Sequence, residues 1–142
     1  MTQEDRELLF KDISARLPYA VKVKIGNNLY IVDGIDIGLN DEGEWVPRVC
    51  THGMTAVEIE YCKPYLFPMS SMTEEQEEEL KKIYYSFTGM FHYTERIFDR
   101  IPFSKMKYFP YQIEEFFNKN HIDYRGLIPM GLANDATDKN IY

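Results

Sequence analysis

Apolar residues near the start of the chain recur at the spacing of an amphipathic helix. Leu9, Ile13 and Leu17 lie four residues apart and form one apolar stripe. Thr2 stands where an N-cap side chain would accept a backbone N–H from the first turn. Pro18 lacks the N–H that another helical turn needs. The pattern therefore predicts one N-terminal helix that ends near Pro18.

The period of the pattern changes to two between residues 20 and 61. Val21, Val23 and Ile25 alternate with lysines, which is typical of a strand with one buried face. Three more strands, separated by turns rich in Gly, Asn and Asp, are predicted over 29–37, 45–50 and 57–61. Pro47 favours an edge position for its strand because it has no N–H for a ladder. Consecutive short strands with tight turns predict an antiparallel meander of four or five strands, or a small SH3-like barrel.

Helical spacing returns in the second half of the chain. Two prolines within 63–68 predict a stiff, extended connector whose aromatic residues lie across the sheet. Thr73 and Gln76 then fit a capping box at the start of an apolar stripe. Helices are therefore predicted over 73–88, 91–100 and 110–120.

Together these elements predict the α+β class, with an N-terminal helix, an antiparallel sheet or small barrel, and a helical C-terminal half. The length of 142 residues matches one domain, since domains commonly hold about 100–200 residues. We expect a single domain over 1–142, in which 1–68 form the helix and the meander and 69–142 are mainly helical.

The net charge of the chain and the length of its apolar runs limit the kinds of partner that we expect. Lys and Arg number 16 against 23 Asp and Glu, for a net charge of −7, which argues against a broad basic surface for nucleic acid. No apolar run approaches the roughly 18 residues of a membrane span. The polar N-terminus also lacks the features of a secretory signal. We therefore predict a cytoplasmic protein without a membrane partner.

The two cysteines allow a metal site as an alternative. Adjacent strands could bring Cys50, His52 and Cys62 together, with His92 or His121 as a fourth ligand. Zinc sites favour closely spaced ligand pairs, however, and these cysteines stand 12 residues apart, which fits free packing thiols better. No Gly-rich phosphate loop is present. The sequence predicts no catalytic residue and no cofactor. A small enzyme, or a metal- or ligand-binding protein that uses these cysteines and His52, stays the alternative.

Residues 96–111 offer a minor alternative, which is a contact with nucleic acid. Basic and aromatic residues are interleaved there, as in surfaces that hold phosphates and stack bases. The basic residues are Arg96, Arg100, Lys105 and Lys107. Nearby carboxylates at Asp99, Glu114 and Glu115 favour an ordinary solvated face instead.

Aromatic residues are the main compositional excess. Tyr 11, Phe 9 and Trp 1 make up 15% of the chain, which is more than a core of this size is expected to hide. Tyrosine is enriched at binding surfaces because it combines apolar area with a polar tip. Six tyrosines are the candidates for a binding surface: Tyr84, Tyr85, Tyr93, Tyr108, Tyr111 and Tyr124. They predict a non-enzymatic accessory or protein-binding protein, and self-association is left open.

Three stretches also resemble a known family. Residues 8–23 begin Leu-Leu-Phe-Lys-Asp-Ile-Ser-Ala-Arg-Leu-Pro-Tyr, and residues 62–75 are Cys-Lys-Pro-Tyr-Leu-Phe-Pro-Met-Ser-Ser-Met-Thr-Glu-Glu. Residues 118–133 begin Asn-Lys-Asn-His-Ile-Asp-Tyr-Arg-Gly-Leu-Ile. Together they resemble a family of small uncharacterised proteins encoded by gut Bacteroidales and by their phages and integrated mobile elements. The resemblance implies a phage or mobile-element setting and a cytosolic location, and it transfers no activity, cofactor or site residue.

Overall fold

An open six-stranded sheet dominates the part of the chain that the computed structural model describes, residues 1–88 and 111–142. Its strands are β1 (Lys22–Ile25), β2 (Asn28–Leu39), β3 (Trp45–Thr51), β4 (Val57–Glu58), β5 (Cys62–Leu66) and β6 (Asn134–Asp135). They lie in the order β4-β3-β2-β1-β5-β6, and all neighbours are antiparallel except β5 and β6. The predicted α+β class is confirmed. The sheet is not closed, so the alternative of an SH3-like barrel is wrong.

The described residues also form three α-helices: α1 (Gln3–Arg16), α2 (Glu74–Thr88) and α3 (Tyr111–Lys119). Both predicted N-caps are present, because the Thr2 hydroxyl accepts the Asp5 N–H at 3.1 Å and the Thr73 hydroxyl accepts the Gln76 N–H at 3.2 Å. Within the described ranges, none of the helices has the length and apolar character needed to cross a bilayer. The helix predicted over 91–100 lies outside those ranges.

The stretch predicted as a connector is a strand instead. β5 pairs along β1, with Pro64 opposite Val23. β6 pairs only with Tyr65 and Leu66. On the edge of β5 that faces away from β1, Pro64 therefore has no strand partner that would require the N–H that proline lacks. The strand predicted over 57–61 shortens to β4 because Ile59–Tyr61 form a 3-10 turn.

A β-bulge decides which residues of β2 face the core. β2 and β3 pair in regular register except at Asp33, which is an extra residue on β2. Side chains alternate between the two faces of a strand, so the extra residue changes which positions point to the core. Buried Val32 precedes the bulge, and Ile35, which packs on the same cluster, follows it. Beyond the bulge the core-facing positions are therefore 35, 37 and 39.

The described core has two clusters. The first joins α1 to the sheet and includes the fully buried Leu9 and Ile13, which confirms the predicted helix stripe. It also takes in Leu127 from the C-terminal segment, so both halves of the chain contribute to it. The second cluster joins α2 to α3 around Leu80 and Phe117.

Buried charges connect α1 to the second cluster. Asp12 and Arg16 are both fully buried and form a bidentate pair with N···O distances of 2.9 and 3.0 Å. Arg16 also donates to the carbonyl oxygens of Phe117 and Ile122, at 3.2 and 2.9 Å. Arg125 brings a second cation to Asp12 at 2.8 Å. The end of α1 is thereby tied to the end of α3 by a network that no sequence pattern predicted.

Candidate functional site

The six candidate tyrosines differ in exposure. Tyr93 and Tyr108 lie outside the described residues, as does the basic stretch that suggested a nucleic-acid contact. Tyr84 and Tyr85 are half-buried on α2, with ring centroids 6.1 Å apart. Tyr111 is 69% exposed at the start of α3, where it lines a cavity of about 260 Å³ between α1 and α3.

Tyr124 is a core residue rather than part of a surface, which corrects its prediction as a binding residue. Its side chain is 3% exposed, and its ring stacks on Phe117 with centroids 5.0 Å apart. Its hydroxyl donates to Glu114 at 2.9 Å, and the Arg125 guanidinium lies 4.3 Å from its ring centroid. Burial raises the pKa of the Tyr124 hydroxyl. These contacts hold Tyr124 inside the second cluster.

In the described part of the chain, the candidate metal ligands Cys50, His52 and Cys62 do not come together. Cys62 is fully buried in the first cluster on β5, whereas Cys50 is half-buried on β3, and β1 and β2 lie between these strands. His52 is exposed in the turn after β3. Among residues 1–88 and 111–142, no three His, Cys, Asp or Glu side chains are placed to hold a metal ion. The geometry therefore gives no support to the alternative based on these residues.

Cys62 is expected to resist thiol reagents in the folded protein. Burial raises its pKa to about 12, and a thiol reacts as its thiolate. Ellman's reagent at mildly alkaline pH should therefore titrate only Cys50 in the folded protein and both cysteines after unfolding in urea. Two thiols that react at the same rate without urea would contradict the buried position of Cys62.

A cleft of about 430 Å³ lies between the first turns of α1 and the far end of the β2–β3 hairpin. We name it the α1–hairpin cleft. Its apolar wall is supplied by Phe10, Ile37, Trp45, Val46 and Pro47. Its polar residues include Arg6 and Glu7 on α1 and Glu44 at the hairpin turn. The cleft therefore combines an apolar wall with charged groups from both of its sides.

The cleft exists because the hairpin extends beyond the core. Ile35 still packs on the first cluster. β2 and β3 continue past it for two more cross-strand pairs on the same face, Ile37–Pro47 and Leu39–Trp45. The exposed fractions there are 62% for Ile37, 53% for Leu39 and 71% for Trp45. At the end of the hairpin, side chains on the core-facing side of the sheet are therefore exposed to solvent.

The rim of the cleft is acidic. The Arg6 guanidinium is already paired with Glu60 at 2.7 Å. Glu7 and Glu44 accept hydrogen bonds from neutral side-chain amides at 3.0 and 3.5 Å. No Lys, Arg or His among the described residues lies within salt-bridge distance of either carboxylate. Within residues 1–88 and 111–142, these two carboxylates therefore stand beside the apolar wall without an ion-pair partner.

This cleft was not among the sites predicted from the sequence. A signal was present in the odd-numbered series Ile35, Ile37 and Leu39, which shares a face with Trp45 across a short turn. It was hidden because residues 29–32 are apolar at every position, so they show no alternation from which the core-facing side could be deduced.

Comparisons with known proteins identify no relative of this chain. The chain matches no protein-family model, no curated protein and no solved structure. The resemblance to the Bacteroidales family stays a prediction from the sequence.

Proposed function

We propose that this chain is a non-enzymatic protein-binding protein that docks a partner in the α1–hairpin cleft. The observation that carries the proposal is Trp45, which is the only tryptophan of the chain and is 71% exposed beside the cleft. Tryptophan is enriched among the few interface residues that dominate binding energy. A partner that covers Trp45 would bury its large apolar surface.

Neighbouring side chains extend Trp45 into a patch. Ile37 and Leu39 lie on the same face of the paired strands and are also more than half exposed. Single exposed apolar residues are normal on soluble proteins, whereas contiguous apolar patches mark interaction sites. Three such neighbours beside an apolar cleft favour a docking surface over chance exposure.

The proposed setting is that of an accessory protein of a phage or mobile element, acting in the cytoplasm. It rests on the resemblance carried by residues 8–23, 62–75 and 118–133. The exposed Tyr111 offers a second aromatic contact near the other end of α1. The α1–hairpin cleft is the stronger candidate because its apolar residues are contiguous.

Trp45→Ala is expected to reduce partner capture by about tenfold or more, because truncation of an interface hot spot commonly costs about 2 kcal/mol or more. Immobilised wild type and variant would be incubated with a lysate of a gut Bacteroidales culture, and the retained proteins quantified by mass spectrometry. Tyr61→Ala is the matched control, since Tyr61 is an aromatic residue, 61% exposed, that does not line the cleft.

The outcome depends on which proteins distinguish the two variants. A protein retained by wild type and Tyr61→Ala but lost by Trp45→Ala would support the proposal. The same retained set for all three would contradict it. Light scattering over a range of concentrations covers the case of a second copy, because self-association would then also be lost in Trp45→Ala. Thermal unfolding should be nearly unchanged in both variants, since both side chains are exposed.

A further inference from the structure

We infer that the partner segment in the α1–hairpin cleft is a basic amphipathic helix, with apolar side chains against the cleft wall and Lys or Arg side chains against Glu7 and Glu44. The inference rests on the proposed function and adds the chemistry of the ligand. Three features support it: two carboxylates that have no ion-pair partner among the described residues, the interrupted edge of β3, and the apolar wall of the cleft.

The carboxylates set the charge of the ligand. Glu7 lies on α1 and Glu44 on the hairpin, so the two negative charges border the cleft from opposite sides. Exposed Asp41 and Glu42 in the hairpin turn add to the negative potential. The Arg6 charge is already offset by its ion pair with Glu60. A segment with Lys or Arg on both flanks is attracted to this rim, whereas an acidic segment is repelled.

The edge of β3 does not suit the addition of a strand. β4 pairs only with Arg48 and Val49, so Trp45–Pro47 have no neighbouring strand on that side. Pro47 lacks an N–H, which interrupts any ladder along these three residues. A partner therefore gains affinity from side chains placed in the cleft rather than from backbone pairing.

The apolar wall of the cleft suits anchor side chains from one face of a helix. Its volume of about 430 Å³ is that of an ordinary ligand pocket, roughly 300–1,000 Å³, and has room for such side chains. Phe10 on α1 faces the hairpin residues Ile37 and Trp45 across it. Helices that dock in grooves present apolar anchors at i, i+3, i+4 and i+7. Such a row of anchors flanked by basic residues matches an apolar wall between two carboxylates.

Trp45 emission gives a direct readout, because the chain contains one tryptophan. The probe is a synthetic helix of Leu and Lys, about 15 residues long, with Leu at i, i+3, i+4 and i+7. Matched peptides carry Gln or Glu in place of Lys. We expect the Lys peptide to shift Trp45 emission to shorter wavelength, the Gln peptide to bind roughly fivefold more weakly, and the Glu peptide to leave the emission unchanged.

Charge variants locate the contact. Glu7→Gln combined with Glu44→Gln should weaken the Lys peptide roughly fivefold, because two exposed charge pairs are lost. Glu75→Gln combined with Glu79→Gln is the control, since it removes the same charge from exposed positions on α2 outside the cleft. That control should change affinity by less than about twofold. Equal weakening in the two double variants would overturn the inference, because net charge alone would then explain binding.

The two proposals can fail separately. A Gln peptide that binds as tightly as the Lys peptide would overturn the inference while supporting the cleft as a docking surface. If no peptide shifts the emission of Trp45, the inference is wrong. The proposed function is then decided by whether capture from lysate depends on Trp45.

Discussion

Replacing Asp12 with alanine is expected to destabilise the fold by about 3–5 kcal/mol. Asp12 is fully buried and accepts hydrogen bonds from Arg16 and Arg125. Its removal leaves the buried Arg16 guanidinium with no carboxylate at ion-pair distance among the described residues. The carbonyl oxygens of Phe117 and Ile122 remain as acceptors, but they carry no net charge to offset the cost of desolvating a cation.

Urea unfolding followed by circular dichroism measures the loss, and Asp36→Ala is the matched control. Asp36 and Arg48 form a bidentate pair of the same kind, with N···O distances of 2.9 and 2.8 Å. Their side chains are 43% and 29% exposed, and exposed pairs contribute only about 0–1 kcal/mol. If Asp12→Ala lowers the free energy of unfolding no more than Asp36→Ala does, burial does not make the Asp12–Arg16 pair more stabilising than an exposed pair.

The same region shows how far the sequence could predict the fold. Leu9 and Ile13 mark the buried face of α1, and at about 100° per residue Arg16 falls within about 20° of Leu9. Helical spacing therefore places Arg16 on the buried face. A charged residue is nevertheless assigned to the surface unless a partner is known. One of its partners is the Phe117 carbonyl, 101 residues away along the chain, and no local pattern reveals such a contact.

The sheet likewise contains strands that the sequence predicts and strands that it does not. β1, β2 and β3 follow from local apolar patterns and turn residues, because consecutive strands pair with each other. β6 consists of Asn134–Asp135 and pairs with β5 from a distant part of the chain, so its two polar residues carry no strand pattern. The α1–hairpin cleft is likewise non-local, since it depends on where α1 stops covering β2 and β3.

Acidification is expected to destabilise the protein through His121. This side chain is 7% exposed, and its ring stacks on Tyr142 with centroids 3.8 Å apart. Its Nδ1 finds no hydrogen-bond partner among the described residues. Burial, reinforced by the positive charge of Arg16, lowers its pKa from 6.5 to about 4. The folded protein therefore holds His121 neutral at pH values where the unfolded chain protonates it.

The direction of the effect follows from the proton balance. Between pH 6.5 and about 4 the unfolded chain binds a proton at His121 that the folded protein does not, so unfolding becomes more favourable as the pH falls. A pKa difference of this size corresponds to about 3 kcal/mol once both states are protonated. Asp123 acts in the opposite direction, because burial raises the pKa of its carboxyl group and the folded state takes up that proton first.

Comparison with His121→Asn isolates the histidine. Asparagine does not titrate and tolerates the left-handed backbone at this position, where φ is 55°. Between pH 7 and about pH 4.5 the wild type should lose about 2 kcal/mol more unfolding free energy in urea than the variant. Asp123 and the other carboxyl groups are present in both proteins, so their contributions cancel in the difference. Parallel pH profiles would show that the folded protein protonates His121 as readily as the unfolded chain, and that burial beside Tyr142 does not keep the ring neutral.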